Sequence, residues 1–182
     1  MGETLIQMVR NTACGLLLLL FIVSPHFLTE KCLAASLQGT VTWVYDGDTL
    51  EISDVGRVRL LGIDSPEWKE GPRDASYRKL GALSDLRSIH DQARQFNIGT
   101  AKGRLVTLEV EKEQRDRYNR LLAYVYLPDG RLLNQVLIER GLAIVYRRFA
   151  FGLKPEFLAA EEKARQQKVG VWSQQIHSES HR

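Results

Sequence analysis

Asp46-Gly47-Asp48-Thr49 and Arg59-Leu60-Leu61-Gly62-Ile63-Asp64-Ser65-Pro66-Glu67 are the two stretches whose reading decides the fold. Each sets acids at the end of an extended segment. Val41-Thr42-Trp43-Val44-Tyr45, ahead of the first, is rich in β-branched and aromatic residues, and Asp-Gly-Asp is a turn signal. Thr49–Ile52 reads as the returning strand, Ser53–Gly56 as a second turn, and Arg57–Ile63 as a third strand. Together they form an antiparallel meander. Pro66 ends it, because proline has no N–H to donate to a ladder.

Working outward, residues 67–84 hold many Gly, Pro and charged residues and few large apolar ones, and read as a long exposed loop. A helix is expected over 86–101, with Ile89, Ala93 and Phe96 on one stripe. Leu105–Val110 and Leu121–Leu127 read as two more strands. A short helix is expected over 132–140, and Gly141 stands where a helix places its terminating glycine. Leu142–Tyr146 reads as a short extended segment, and Pro155 opens a last helix running to Lys168. Three strands, a helix, two strands and C-terminal helices suit a five-stranded Greek-key barrel of the OB type with three helices, an α+β fold.

The N-terminus stands apart from this domain. Ala13–Val23 is uncharged and apolar, about half the ~20 residues a membrane span needs. Arg10 precedes it, Ser24-Pro25 breaks it, and Cys32-Leu33-Ala34-Ala35-Ser36 offers small residues for cleavage after Ala34 or Ala35. Residues 1–35 therefore read as a signal peptide, 36–172 as one domain and 173–182 as a polar tail. Export is expected, to the periplasm, the cell surface or the medium, with no membrane span after processing. Both cysteines, Cys14 and Cys32, lie in the segment to be removed, so the mature chain is expected to fold without a disulfide. The net charge of +3 is compatible with an anionic partner but does not identify one.

The chemistry lies in the acids and arginines. Asp48 and Asp64 close two strands and can converge at one barrel mouth, an all-oxygen set suited to a hard cation. Asp116-Arg117-Tyr118-Asn119-Arg120 adds a second arginine just before an apolar run. Guanidinium forks match phosphate geometry. Taken singly, each motif reads as ordinary turn and loop residues. The arginines resist that reading, since Arg59 and Arg120 enter apolar strands where charge is normally avoided. No His or Cys cluster supports a zinc phosphodiesterase. His90, His177 and His181 read as solvated, and Trp43, Trp68 and Trp172 as core or loop packing rather than base platforms.

In order and spacing, Asp46–Thr49, Arg59–Glu67, Asp116–Arg120 with Leu122-Ala123-Tyr124, Asn134 through Gly141-Leu142-Ala143, and Gly170-Val171-Trp172-Ser173 resemble the staphylococcal nuclease family over nearly the whole mature length. The resemblance implies an OB barrel with calcium-dependent endonuclease activity on DNA and RNA, leaving 3′-phosphates. It implies Asp48, Asp64 and the carbonyl of Ser65 as Ca²⁺ ligands, and Glu67 as the residue acting on the attacking water. It further implies Arg59 and Arg120 as phosphate-holding catalytic residues, and Arg117 and Tyr118 beside the bound nucleotide. The expected partner is a nucleic-acid substrate, and the expected state is a monomer. Three departures stand out: Ser65 for threonine, Asn119 for glycine, and a longer loop after Glu67. The rival reading is a silent OB module that binds without cutting. Such a module would be expected to lose some of Asp48, Arg59, Asp64, Glu67 and Arg120, and all five are present.

Overall fold

A computed structural model describes residues 37–82 and 84–173. The expected signal peptide, the polar tail beyond Ser173, and His177 and His181 lie outside the described residues. Five strands close into a barrel in the order β1-β2-β3-β6-β5: β1 Leu37–Val44, β2 Thr49–Ile52, β3 Gly56–Leu60, β5 Leu105–Arg115 and β6 Leu121–Tyr126. All neighbours are antiparallel except β3 and β6, which run parallel with Val58 opposite Leu121. A parallel pair needs a long crossover, and the chain between them supplies it with two helices and β5. This is the expected five-stranded barrel.

Alternation builds the core. Val41, Leu50, Val58, Leu60, Leu108, Ala123 and Val125 face inward and are almost wholly buried. Three substantial helices cover the barrel: α2 Leu86–Thr100, α3 Leu133–Glu139 and α4 Lys154–Gln167. Asp85 caps α2, its side chain accepting from the Arg87 amide at 2.9 Å. Pro155 sits in the first turn of α4, as expected. Gly141 follows α3 at φ +65°, and a Cβ there would stand 2.2 Å from the Val169 carbonyl oxygen. The α3 terminus and the 3-10 turn Gly170–Trp172 thus meet backbone against backbone.

Three local readings differ from the structure. The third strand stops at Leu60, not Ile63, because Gly62 turns the chain at φ +81°. Ile63–Asp64 then forms a separate short strand, β4, paired with β7, Ile144–Val145. The fourth barrel strand runs past Val110 to Arg115, and its register with β6 is interrupted between those two residues. The stretch after Glu67 is not merely an exposed loop. It contains a short helix, α1 Asp74–Lys79, whose Tyr77 is buried to 1% exposure.

Candidate active site

The β1–β2 turn is drawn tight by its own residues. The Asp48 amide donates to the Asp46 carboxylate at 2.8 Å. From α2, the buried Asn97 amide donates to the carbonyls of Asp46, at 3.2 Å, and Gly47, at 3.0 Å. A Cβ on Gly47 would stand 2.0 Å from Ser65 Oγ and 2.7 Å from Ala93 Cβ. Gly47→Ala is therefore expected to prise the turn from β4 and α2, costing about 1–3 kcal/mol as over-packing does. Urea unfolding of the variant beside the wild type checks it.

Asp48, at the start of β2, is 2% exposed. One carboxylate oxygen accepts from Thr49 Oγ1 at 3.0 Å and from Arg59, and the other accepts from the Ser65 amide at 2.9 Å. Arg59, on β3 opposite Thr49, also donates through Nη2 to Asp64 at 2.9 Å. One guanidinium therefore bridges the two aspartates expected to hold metal. Arg120 approaches from the β5–β6 turn and donates to Thr49 Oγ1 at 3.3 Å. It is aimed by Asp116, which accepts from its Nε at 2.8 Å and from its backbone amide at 3.0 Å. Asn119 takes φ +62° in this turn, so asparagine serves where a glycine would.

The acids outweigh the cation between them. Burial first, and then the charge of Asp48, push Asp46 up to about 7. The same two causes push Asp64 up to about 6 against the pull of Arg59. For Arg59, burial works against the charged form, but Asp48, Asp64 and Asp46 more than reverse it. Asp116 behaves oppositely: slight burial raises it, yet hydrogen bonds from Arg120 and the Tyr118 amide hold it below the usual carboxylate range. Buried carboxylate oxygens that already gather one cation are the donor type a hard metal ion takes, while among the described residues no three or more His, Cys, Asp or Glu side chains group to hold one. Ser65 Oγ is buried there with no protein partner among the described residues.

Glu67 is half exposed and ion-paired with Arg73, which also approaches Asp64 to 3.8 Å. Sequence reasoning missed Arg73. Long-range contacts fix its loop, among them Tyr77 Oη, which donates to the Asp64 carbonyl at 2.6 Å, and Arg87, which pairs with Asp74 at 2.9 Å. His90 was also misread as solvated. It is 7% exposed, and its Nδ1 donates to the Pro66 carbonyl at 2.8 Å, steadying the segment that carries Glu67. Trp172 is buried as expected, whereas Trp43 and Trp68 are 48% and 64% exposed.

Arg59, Glu67, Arg120 and Tyr118 line one cavity of about 290 Å³, together with Asp46, Arg57 and Arg73. Four guanidiniums and two acids line it, and one of the four, Arg59, is paired with Asp48 and Asp64. A larger cleft of about 760 Å³ adjoins it, bounded by Asp64, Arg117, Tyr118, Tyr146 and Arg148. Arg117 does not reach the acids; it donates to Tyr118 Oη at 2.8 Å at the exposed rim. Arg147 is tied to Glu161 of α4, and so props β7.

The arrangement agrees with what the chain is similar to. The staphylococcal nuclease homologue family matches residues 57–174. An uncharacterised endonuclease of Escherichia coli is 36% identical over 144 residues, 78% of this chain and 80% of its own length. Protein ParB of Escherichia coli is 30% identical over 88% of this chain and 82% of its own length. Endonuclease YncB of Bacillus subtilis is 30% identical over 82% of this chain and 67% of its own length. With the barrel, the paired aspartates and the two arginines in place, the chain belongs to the staphylococcal nuclease family.

Proposed function

We propose that the protein is an exported, calcium-dependent endonuclease that hydrolyses DNA and RNA to products with 3′-phosphates. One observation carries the reading: Arg59, Arg120 and Glu67 line a single cavity, and Arg59 ties that cavity to both Asp48 and Asp64. Asp48, Asp64 and the Ser65 carbonyl would hold Ca²⁺, with water filling its remaining positions. When bound, the ion supplies charge to a phosphate oxygen and to a nearby water.

The protein groups divide the remaining work. Arg59 and Arg120 grip the phosphate's non-bridging oxygens, and their charge opposes the negative charge that builds on five-coordinate phosphorus. Glu67 orients a water and accepts its proton as the water oxygen bonds to phosphorus. The bond from phosphorus to O5′ breaks and O5′ takes up a proton from solvent water, leaving the phosphate on the 3′ side and a 5′ hydroxyl on the other. Arg73 holds Glu67 at the cavity wall through their ion pair. Tyr118 and Arg117, at the rim, bear on the adjoining nucleotide.

Digestion of plasmid DNA and of RNA with Ca²⁺, with Mg²⁺ and with EGTA tests the reading. Cleavage is expected only with calcium. Equal digestion in excess EGTA overturns the metal assignment, and tight binding without cleavage in calcium favours the silent module. Export rests on the sequence of residues 1–35. The exported protein is expected to begin at Ala35 or Ser36 by mass spectrometry, and a product retaining Cys32 contradicts that. Among the described residues no helix is long and apolar enough to cross a membrane.

A further inference from the structure

Two aromatic rings lie open on the outer face of the barrel, where the reaction does not use them. Trp43 is 48% exposed and Tyr45 is 38% exposed, while Val44 between them is buried. Each ring carries a cation. Lys102 Nζ stands 4.7 Å from the Trp43 ring centroid, and Arg57 Cζ stands 4.3 Å from that of Tyr45. Trp43, Glu51 and Arg57 form one cross-strand row over β1, β2 and β3. Glu51 is the acid of the row, and it is engaged: Tyr45 Oη donates to it at 2.9 Å and accepts from Arg57 Nη2 at 3.0 Å.

This face runs into the catalytic cavity. Arg57 and Arg59 are two residues apart on β3, so they share a face at a separation of about 6.6 Å. Arg57 lines the same cavity as Arg59, Glu67 and Arg120. Tyr118 also lines that cavity, 60% exposed, with Arg117 and Arg120 over its ring at 4.8 and 5.3 Å. Aromatic–cation pairs therefore occur both at the cavity and on the face that leads into it.

We propose that the outer face of β1–β3, through Trp43, Tyr45 and Arg57, is a binding track for the single strand of nucleic acid flanking the bond to be cut. The proposal rests on the nuclease reading and adds to it a binding surface outside the cavity for the strand that continues past the bond to be cut. Exposed rings accept the faces of unpaired bases, whereas a duplex hides those faces in its stack. Arg57 and Lys102 follow the backbone phosphates. Barrels of this type present the β2–β3 face to oligonucleotides. From Arg57 to Trp43 is two strand spacings, about 9.6 Å, so the track starts at the cavity and its far end, Trp43, is met by nucleotides outside it.

The test is steady-state cleavage of a dinucleotide and of a single strand of about 12 nucleotides, within the range of OB-type site sizes, beside a binding titration of the longer strand in EGTA. The variants are Trp43→Ala/Tyr45→Ala and the ring-keeping Trp43→Phe/Tyr45→Phe. Both side chains are exposed, so truncation leaves the core untouched. The alanine pair is expected to raise KM for the long strand on the order of 10-fold per lost ring. Its kcat is expected to stay near the wild-type value, its dinucleotide kinetics are expected to change far less than the long-strand KM, and the phenylalanine pair is expected to restore most of the affinity. Wild-type KM on the long strand overturns the track, as does an equal loss on both substrates. Wild-type protein that binds the strand through these rings yet cuts neither substrate keeps the track and sinks the nuclease reading.

Discussion

Arg120→Ala is expected to lower kcat by on the order of 10²–10³, about 3–4 kcal/mol of transition-state stabilisation, the usual cost of losing one oriented donor. Substrate affinity should fall far less, because the charge it opposes is greatest in the transition state. The fold should hardly notice. The side chain sits at the rim of the cavity, and its partners Asp116 and Thr49 keep their backbone hydrogen bonds without it. Lysine should rescue poorly, since a point charge cannot reproduce a two-pronged contact. Single-turnover cleavage beside a binding titration separates the effects. Equal loss of affinity and cleavage reduces Arg120 to a docking contact.

Arg59→Ala is expected to show two losses where Arg120→Ala shows one. Cleavage falls similarly, but the metal-free protein is also destabilised by about 3–5 kcal/mol, the cost of leaving buried charges unpaired. Arg59 is the group between Asp48 and Asp64, and its side chain is only 12% exposed. Calcium should return part of that stability, as any ligand of the folded state does, and should stabilise the variant more than the wild type. The sign with pH follows from the acids. Asp46 and Asp64 titrate near 7 and near 6 when folded, well above the unfolded value of 3.8. Folded protein therefore holds protons that the unfolded chain has released, and this contribution to stability is lost as pH rises from about 4 to 7. Urea unfolding at pH 5 and pH 8, with EGTA or calcium, measures all of this. A variant as stable as wild type in EGTA would show that Arg59 is not the counter-charge of the site.

Much of this molecule is readable along the chain because its determinants are local. The Asp46–Thr49 turn, the alternation in Thr49–Ile52 and Leu121–Tyr126, Pro155 at the start of α4 and Gly141 at the end of α3 each act within a few residues. Strand ends bring their acids and arginines with them, so Asp48, Arg59, Asp64 and Arg120 were legible once the strands were. Local signals also mislead where a single residue decides. The third strand looked apolar through Ile63, but Gly62 turns it. The fourth strand continues past its apolar residues across an interrupted register and pairs with β6 again at Arg115, opposite Leu121.

Other features depend on residues far apart in sequence. Tyr77 stands in a stretch dominated by charged and small residues that gives no sign of its burial; its contact with Asp64 and the Asp74–Arg87 pair help shape that loop and bring Arg73 onto Glu67. His90 is buried because α2 lies against the segment carrying Pro66. Trp43 is exposed because the bulge in β1 sends it outward while Val41 and Val44 turn in. The sequence by itself determined the strands, the turns and the kinds of group at their ends. Closure of the barrel decided which of those groups share a cavity, since it alone brings Arg120 against Thr49 and sets Arg59 between two buried aspartates. The physical reason is range: propensity and patterning act over a few residues, whereas burial and pairing of charge are set by whatever the fold places alongside.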